Sequence, residues 1–152
     1  LLMYKNVEQF VERSLLTYLQ ARNFKLVKSD RWFFGLFGGR SQTWQSATVR
    51  VLAAVEYDGQ GTVHLSSVKA PTRTHLAEYV IAFLERRPVE RLPDEGLGTK
   101  LSSHHEAIAA LLSADGSDRA QEFCDWERRE SERIFREATA LSVNYESPRD
   151  AA

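Results

Sequence analysis

His104-His105-Glu106 is the first run in this chain whose residue types could hold a metal. Two ligands on one helix need i, i+3 or i, i+4 spacing to share a face. Adjacent histidines point about 100° apart on a helix, and the residues four positions on are Ile108 and Ala109. No metal site is expected there, and the run reads as a polar first helical turn. Cys124 is the sole cysteine. A nucleophilic role would need a thiolate, hence a nearby base or a helix amino terminus. It falls in the second turn of a helix beside Phe123 and Trp126, so a packed, inert thiol is expected. The four histidines, His64, His75, His104 and His105, permit an acid–base pair, as any sequence of this composition would. G-x-S-x-G, H-E-x-x-H and paired CxxC motifs are absent. Gly35-Leu36-Phe37-Gly38-Gly39-Arg40-Ser41 misses the phosphate-loop pattern in spacing and in its lysine. No catalytic residue, metal or cofactor is therefore expected.

That last segment is still the most unusual stretch. Trp32, Phe33, Phe34, Leu36, Phe37 and Trp44 crowd around three glycines, with Arg31 and Arg40 beside them. A strand presents alternate residues to each face, so Trp32 and Phe34 share one face while Phe33 and Phe37 take the other. Either these aromatics cap an open end of the core or lie under the carboxy-terminal helices, or they form a binding surface. Aromatics and Arg dominate interface hot spots. The candidate contact surface comprises Trp32, Phe34, Phe37, Arg40 and Trp44, or the charged helix around Arg129 and Arg133. The aromatics, with Lys25, Arg31, Arg40, Arg50 and Lys69 near the same strands, would also suit stacked single-stranded nucleic acid. Against that stand a pI near 6.5 and the lack of any RNP-like, KH-like or helix-turn-helix signature. The charge is also split: residues 1–77 carry +5 and residues 78–152 carry −6, and the acidic half would repel phosphate.

The elements that must position these residues follow from patterning. The chain has 152 residues, 43% hydrophobic and 27% charged, which suits one globular domain at 1–141 with a tail at 142–152. No apolar run approaches the roughly 20 residues of a membrane span. The amino terminus lacks a secretory pattern, and a lone cysteine points to a reducing compartment. The expected location is cytoplasmic.

Asn6 caps a first helix over 6–21, with Gln9 as its capping-box partner and Val7, Phe10, Val11, Leu15, Tyr18 and Leu19 as its apolar stripe. Strands are expected at 24–28, 31–34, 47–57 and 62–69. In the third, Ala47, Val49, Val51, Ala53, Val55 and Tyr57 share a core face, opposite a largely wet one. A three-residue loop, Gly59-Gln60-Gly61, would place Val55 opposite Leu65 and Tyr57 opposite Val63, with Gly61 left-handed. Pro71 ends the sheet. Helices follow at 74–87, at 104–113 with a Ser103/Glu106 capping box, and at 118–141, with a loop over 88–100. The last is highly charged. It offers i, i+4 pairs Asp125–Arg129, Arg128–Glu132, Glu132–Arg136 and Arg133–Glu137. The fold class is α+β: an N-terminal helix, an antiparallel meander of about four strands, then three helices.

In element order and size this chain resembles small bacterial proteins that bind another protein, among them secretion chaperones and the immunity proteins that neutralise toxins. No motif carries the resemblance. It implies a non-catalytic domain that masks or escorts one cognate protein, such as a toxin or secreted effector. Two alternatives stand beside it. One is a single-stranded nucleic-acid binder using the aromatic-basic sheet face. The other is a small-molecule-binding domain or enzyme with a pocket between the sheet and helix 74–87, where His64 and His75 would converge.

Overall fold

Alternating apolar residues make Val49–Val55 a strand with one dry face: Val49, Val51, Ala53 and Val55 are all buried. The computed structural model, which describes residues 3–31, 40–114 and 116–144, sets this strand at the centre of a five-stranded antiparallel sheet. In chain order the elements are α1 (Val7–Ser14), α2 (Leu16–Ala21), β1 (Lys25–Arg31), β2 (Arg40–Gln45), β3 (Val49–Val55), β4 (Gly61–Ser67), β5 (Ala70–Leu76), α3 (Ala77–Glu85), α4 (Asp94–Ser113) and α5 (Asp118–Asn144). Each strand pairs with the next. The architecture is α+β with three helices after the sheet, as expected, but with five strands rather than about four.

The core lies between one sheet face and the helices. Val51, Ala53, Val63 and Leu65 pack with Phe10, Leu15 and Leu19 of the amino-terminal helices and with Val80, Ile81, Leu101 and Ile108 further on. Each Val, Leu, Ile or Phe among them contributes about 1.5–3 kcal/mol on leaving water. Asn6 does cap α1, its Oδ1 accepting the Gln9 N–H at 2.8 Å. The Gln9 side chain accepts instead from Lys5 N–H, one residue before the position a capping box would use. The expected helix 6–21 is broken at Leu15, where φ is −129°, giving α1 and α2.

The hairpin between β3 and β4 has the expected loop class at a different place. Val55 faces Gly61, Ala53 faces Val63 and Val51 faces Leu65. The loop is Tyr57-Asp58-Gly59, closed by Glu56 N–H to Gln60 O and Gly59 N–H to Glu56 O, both 2.9 Å. Gly59, not Gly61, is left-handed, at φ +82°. Gly61 is needed for another reason: a Cβ there would run into the Phe10 ring. Each partner differs from the expected one by four positions, an even number, so the faces are unchanged. Tyr57 and Ala47 lie beyond the regular strand and are exposed.

Other boundaries also differ. β1 runs through Ser29 and Asp30 to Arg31, with a bulge between Leu26 and Lys28. The rest of the expected strand 31–34 lies outside the described residues. β2 was not anticipated. Pro71 does not end the sheet; it sits in a wide irregularity of β5 between Ala70 and His75, where its missing N–H breaks no regular ladder. Helix α3 accordingly starts at Ala77 rather than 74. Helix α4 starts at Asp94, within the expected loop. Ser103 is therefore mid-helix, its hydroxyl donating to Thr99 O, and Glu106 pairs with Arg22 at 3.0 Å rather than capping. Helix α5 continues to Asn144, so the expected tail begins as helix.

Candidate functional site

The inner half of α5 is fixed to the body. Phe123 is buried, with ring centroids 4.9 Å from His75 and 5.1 Å from Phe83. The Glu127 carboxylate takes His75 Nδ1 at 2.9 and 3.0 Å. Glu130 accepts the Val89 N–H at 3.0 Å, and Ser131 Oγ meets the Tyr79 hydroxyl at 3.2 Å. A helix of this length runs about 40 Å, so these anchors hold only its first half.

Beyond Ser131 the same residue spacing continues without the same burial. Phe123, Glu127 and Glu130 are followed, at steps of three and four, by Ile134, Ala138 and Leu141. Phe135 and Leu141 stand three residues either side of Ala138, within about 60° of it around the helix. They are 72% and 71% exposed. Ala138 is exposed and Ile134 half-buried. The outer half of α5 is therefore an amphipathic segment whose apolar arc carries no charged side chain. Met3 and Tyr57, the other large hydrophobic side chains this exposed among the described residues, lie near the amino terminus and in the hairpin loop.

The polar side of the segment is organised internally. Arg133 donates to Glu130 and, at 2.8 Å, to Glu137. These hydrogen bonds raise the guanidinium pKa, and Arg133 in turn lowers that of Glu130. Of the four expected i, i+4 pairs, Arg133–Glu137 is formed, while Arg128 reaches back to Asp125 at 3.8 Å. Arg129 is exposed. Phe135 was missed as a surface residue. The adjacent pair Ile134-Phe135 was the available signal, since neighbours on a helix cannot share one narrow stripe.

The remaining candidates scatter. Trp32, Phe34 and Phe37 lie outside the described residues. Trp44 is half-buried against the core, its indole N–H donating to Gln42 Oε1 at 3.0 Å. Arg40 is paired with Val55 and Trp44 with Val51, on the helix-covered face, whereas Lys25 and Arg50 both align with Gln45 on the other. Arg40 thus shares a face with Trp44, while Lys25 and Arg50 lie on the opposite one, so the basic residues of the described sheet are not gathered around its aromatic residue. His64 and His75 do not converge either: His64 pairs with Leu76, and His75 pairs with Leu65 on the core face.

The two adjacent histidines also point to different partners. His105 Nδ1 meets the Tyr18 hydroxyl at 2.7 Å; burial and then Arg22 lower the His105 pKa, while burial raises that of Tyr18. His104 reaches Glu85 at 3.1 Å. Lys100, Arg87 and His104 together hold the Glu85 carboxyl down at about 2. Among the described residues no three His, Cys, Asp or Glu side chains are grouped to hold a metal, and no helix is long and apolar enough to cross a membrane. Cys124 is exposed rather than packed. A comparison with protein-family models found no match, and comparisons with curated proteins and with solved structures found none either.

Proposed function

We propose that this chain is a non-catalytic protein-binding domain that masks or escorts one cognate protein in the cytoplasm, held by the outer half of α5. The exposure of Phe135 and Leu141 on an otherwise well-anchored helix carries this reading. Anchors at i, i+4 and i+7, here Ile134, Ala138 and Leu141, suit a helix laid into an apolar groove. The partner's matching surface is such a groove, with polar groups at its rims for Glu132, Arg136 and Glu137. Burying Phe135 and Leu141 would contribute about 1.5–3 kcal/mol each before the costs of association. The flanking charges, Arg129 among them, would act on partner choice more than on affinity. A toxin or secreted effector, held as a secretion chaperone or immunity protein holds its partner, is the kind of protein this face would serve.

The test compares wild type with the double variant Phe135→Glu/Leu141→Glu. Affinity capture from the cells that make the protein is run beside light scattering on the purified chains. One protein at equimolar ratio is expected on the wild type and not on the variant, with both chains melting within about 2 °C of each other, since neither side chain is buried. The same partner on both chains, or no stoichiometric partner on either, overturns the proposal. A wild-type homodimer lost in the variant also overturns it, because the occupant would then be a second copy.

A further inference from the structure

We infer that the cleft between β5, the end of α4 and the start of α5 binds a small carboxylate with an apolar body. It lies beside the anchored start of α5, away from the exposed outer half. Its volume is about 370 Å³, within the range of about 300–1,000 Å³ typical of ligand pockets. Leu111 and Leu112 from the end of α4 and Phe123 from α5 supply an apolar wall. The facing wall is polar and comes from β5, where Thr72, Arg73, Thr74 and His75 line the cleft in succession. Four consecutive residues of an ordinary strand would alternate between faces. They gather on one cleft here because β5 leaves its register with β4 between Ala70 and His75.

The wall chemistry selects the ligand. Its ionisable groups other than the Cys124 thiol are an Arg and a His, and no acidic residue lies among the described lining residues. Glu127 sits behind His75 and holds Nδ1 at 2.9 Å, which fixes the ring beside the cleft. Arg73 carries several N–H donors and can add a carboxylate to the interactions it already makes. The threonine hydroxyls supply further donors. An anionic head on the β5 side with an aliphatic body against Leu111, Leu112 and Phe123 satisfies both walls. A fatty-acid-like molecule and the carboxy-terminal residue of a peptide share this chemistry.

Cys124 lines the same cleft and is the only cysteine in the chain, so alkylation by iodoacetamide reports on this place alone. The probes are hexanoate, octanoate, octanol and N-acetylleucine. Octanoate is expected to slow alkylation at least threefold, saturating on the order of 0.1–1 mM. Hexanoate should need roughly 4–15 times more, at about fourfold per CH₂ withdrawn from water. Octanol should bind at least fivefold more weakly than octanoate, and the Arg73→Gln/His75→Gln variant should erase that difference. Ala120→Trp, which fills the cleft from α5, should abolish the protection ratio while the circular dichroism spectrum is kept. Saturation at lower concentration by N-acetylleucine assigns a peptide terminus as the source, and the reverse assigns a fatty chain; either supports the proposal. Equal protection by octanol and octanoate, no protection by any probe, or undiminished protection in Ala120→Trp overturns it.

Discussion

Gly96→Ala and Gly98→Ala should move stability in opposite directions, although both glycines lie near the start of the same helix, α4. Propensity alone favours alanine at either place by up to about 1 kcal/mol. At Gly96 nothing opposes that gain: the nearest atom to an added Cβ is Pro93 Cδ at 3.8 Å, an ordinary contact. At Gly98 the added Cβ would stand on the carbonyl oxygen of Ser14, the last residue of α1, closer than real Cβ contacts come. That oxygen belongs to the backbone and cannot rotate aside. One helix would have to retreat, against Leu15, Leu97 and Leu101, all buried. Overpacking of this kind costs about 1–3 kcal/mol, and a backbone obstacle places it at the upper end. After subtracting the propensity gain, the net loss is about 1–2 kcal/mol. For a chain of this size each kcal/mol moves the melting temperature by about 2–4 °C. Gly98→Ala should therefore melt about 2–8 °C lower than wild type, and Gly96→Ala about 1–4 °C higher. Scanning calorimetry on the three proteins decides the matter. If Gly98→Ala melts at or above wild type, α1 and α4 do not approach as described and the reasoning fails.

The two halves of α5 should respond differently to the same truncation. Phe123→Ala should cost about 3–5 kcal/mol in a urea titration because its ring is buried, while Phe135→Ala should change stability by no more than about 0.5 kcal/mol; comparable losses would mean that the outer half is packed. Burial lowers the pKa of both His64 and His105. As pH falls below about 6.5 the unfolded chain takes up protons first, so stability should drop between about pH 7 and pH 5.5. Imidazole titrations at or above 6.5 would refute this. Glu85, held at about 2, should stabilise the fold fully above pH 4.5 and lose that effect as pH falls toward 2. The melting temperatures of wild type and Glu85→Gln should thus differ by no more than about 4 °C near neutrality and converge in acid; a gap that persists near pH 2 would show another origin.

What patterning could and could not reveal is clearest in the sheet. Strand β3 is legible because one face is dry along its whole length. The loop after it is harder, since both Gly59 and Gly61 are candidates for the left-handed position and both placements keep the same faces. The deciding contact comes from Phe10 of α1, far away in sequence, and no local rule contains it. Strand β2 has no alternation to find: Ser41, Gln42 and Thr43 are all buried between β1 and β3. Its burial is imposed by its neighbours. Strand β5 hides behind Pro71 and its own irregular register. The start of α4 contains Gly96 and Gly98, residues that ordinarily mark a loop. Gly98 belongs there because α1 needs the space, so tertiary packing overrides propensity.

The same distinction explains why the proposed partner surface is only half legible. The charged composition of α5 goes with solvent around most of its circumference, and it drew attention to Arg129 and Arg133. Arg133 is in fact committed within the helix to Glu130 and Glu137. The informative residues, Ile134, Ala138 and Leu141, are apolar and continue at the same steps the stripe of Phe123, Glu127 and Glu130. Phe123 packs on the body and Leu141 does not, because the body ends near the Tyr79–Ser131 hydrogen bond. Only the placement of α3 beside α5 reveals where that end falls. A pattern that continues beyond the surface that explains it requires a second explanation. An isolated exposed leucine would require none, but Phe135 and Leu141 flank one uncharged arc on a rigid element. The proposed partner would supply that second explanation as a covering surface, and the anchoring of Glu127, Glu130 and Ser131 would keep the arc in place to receive it.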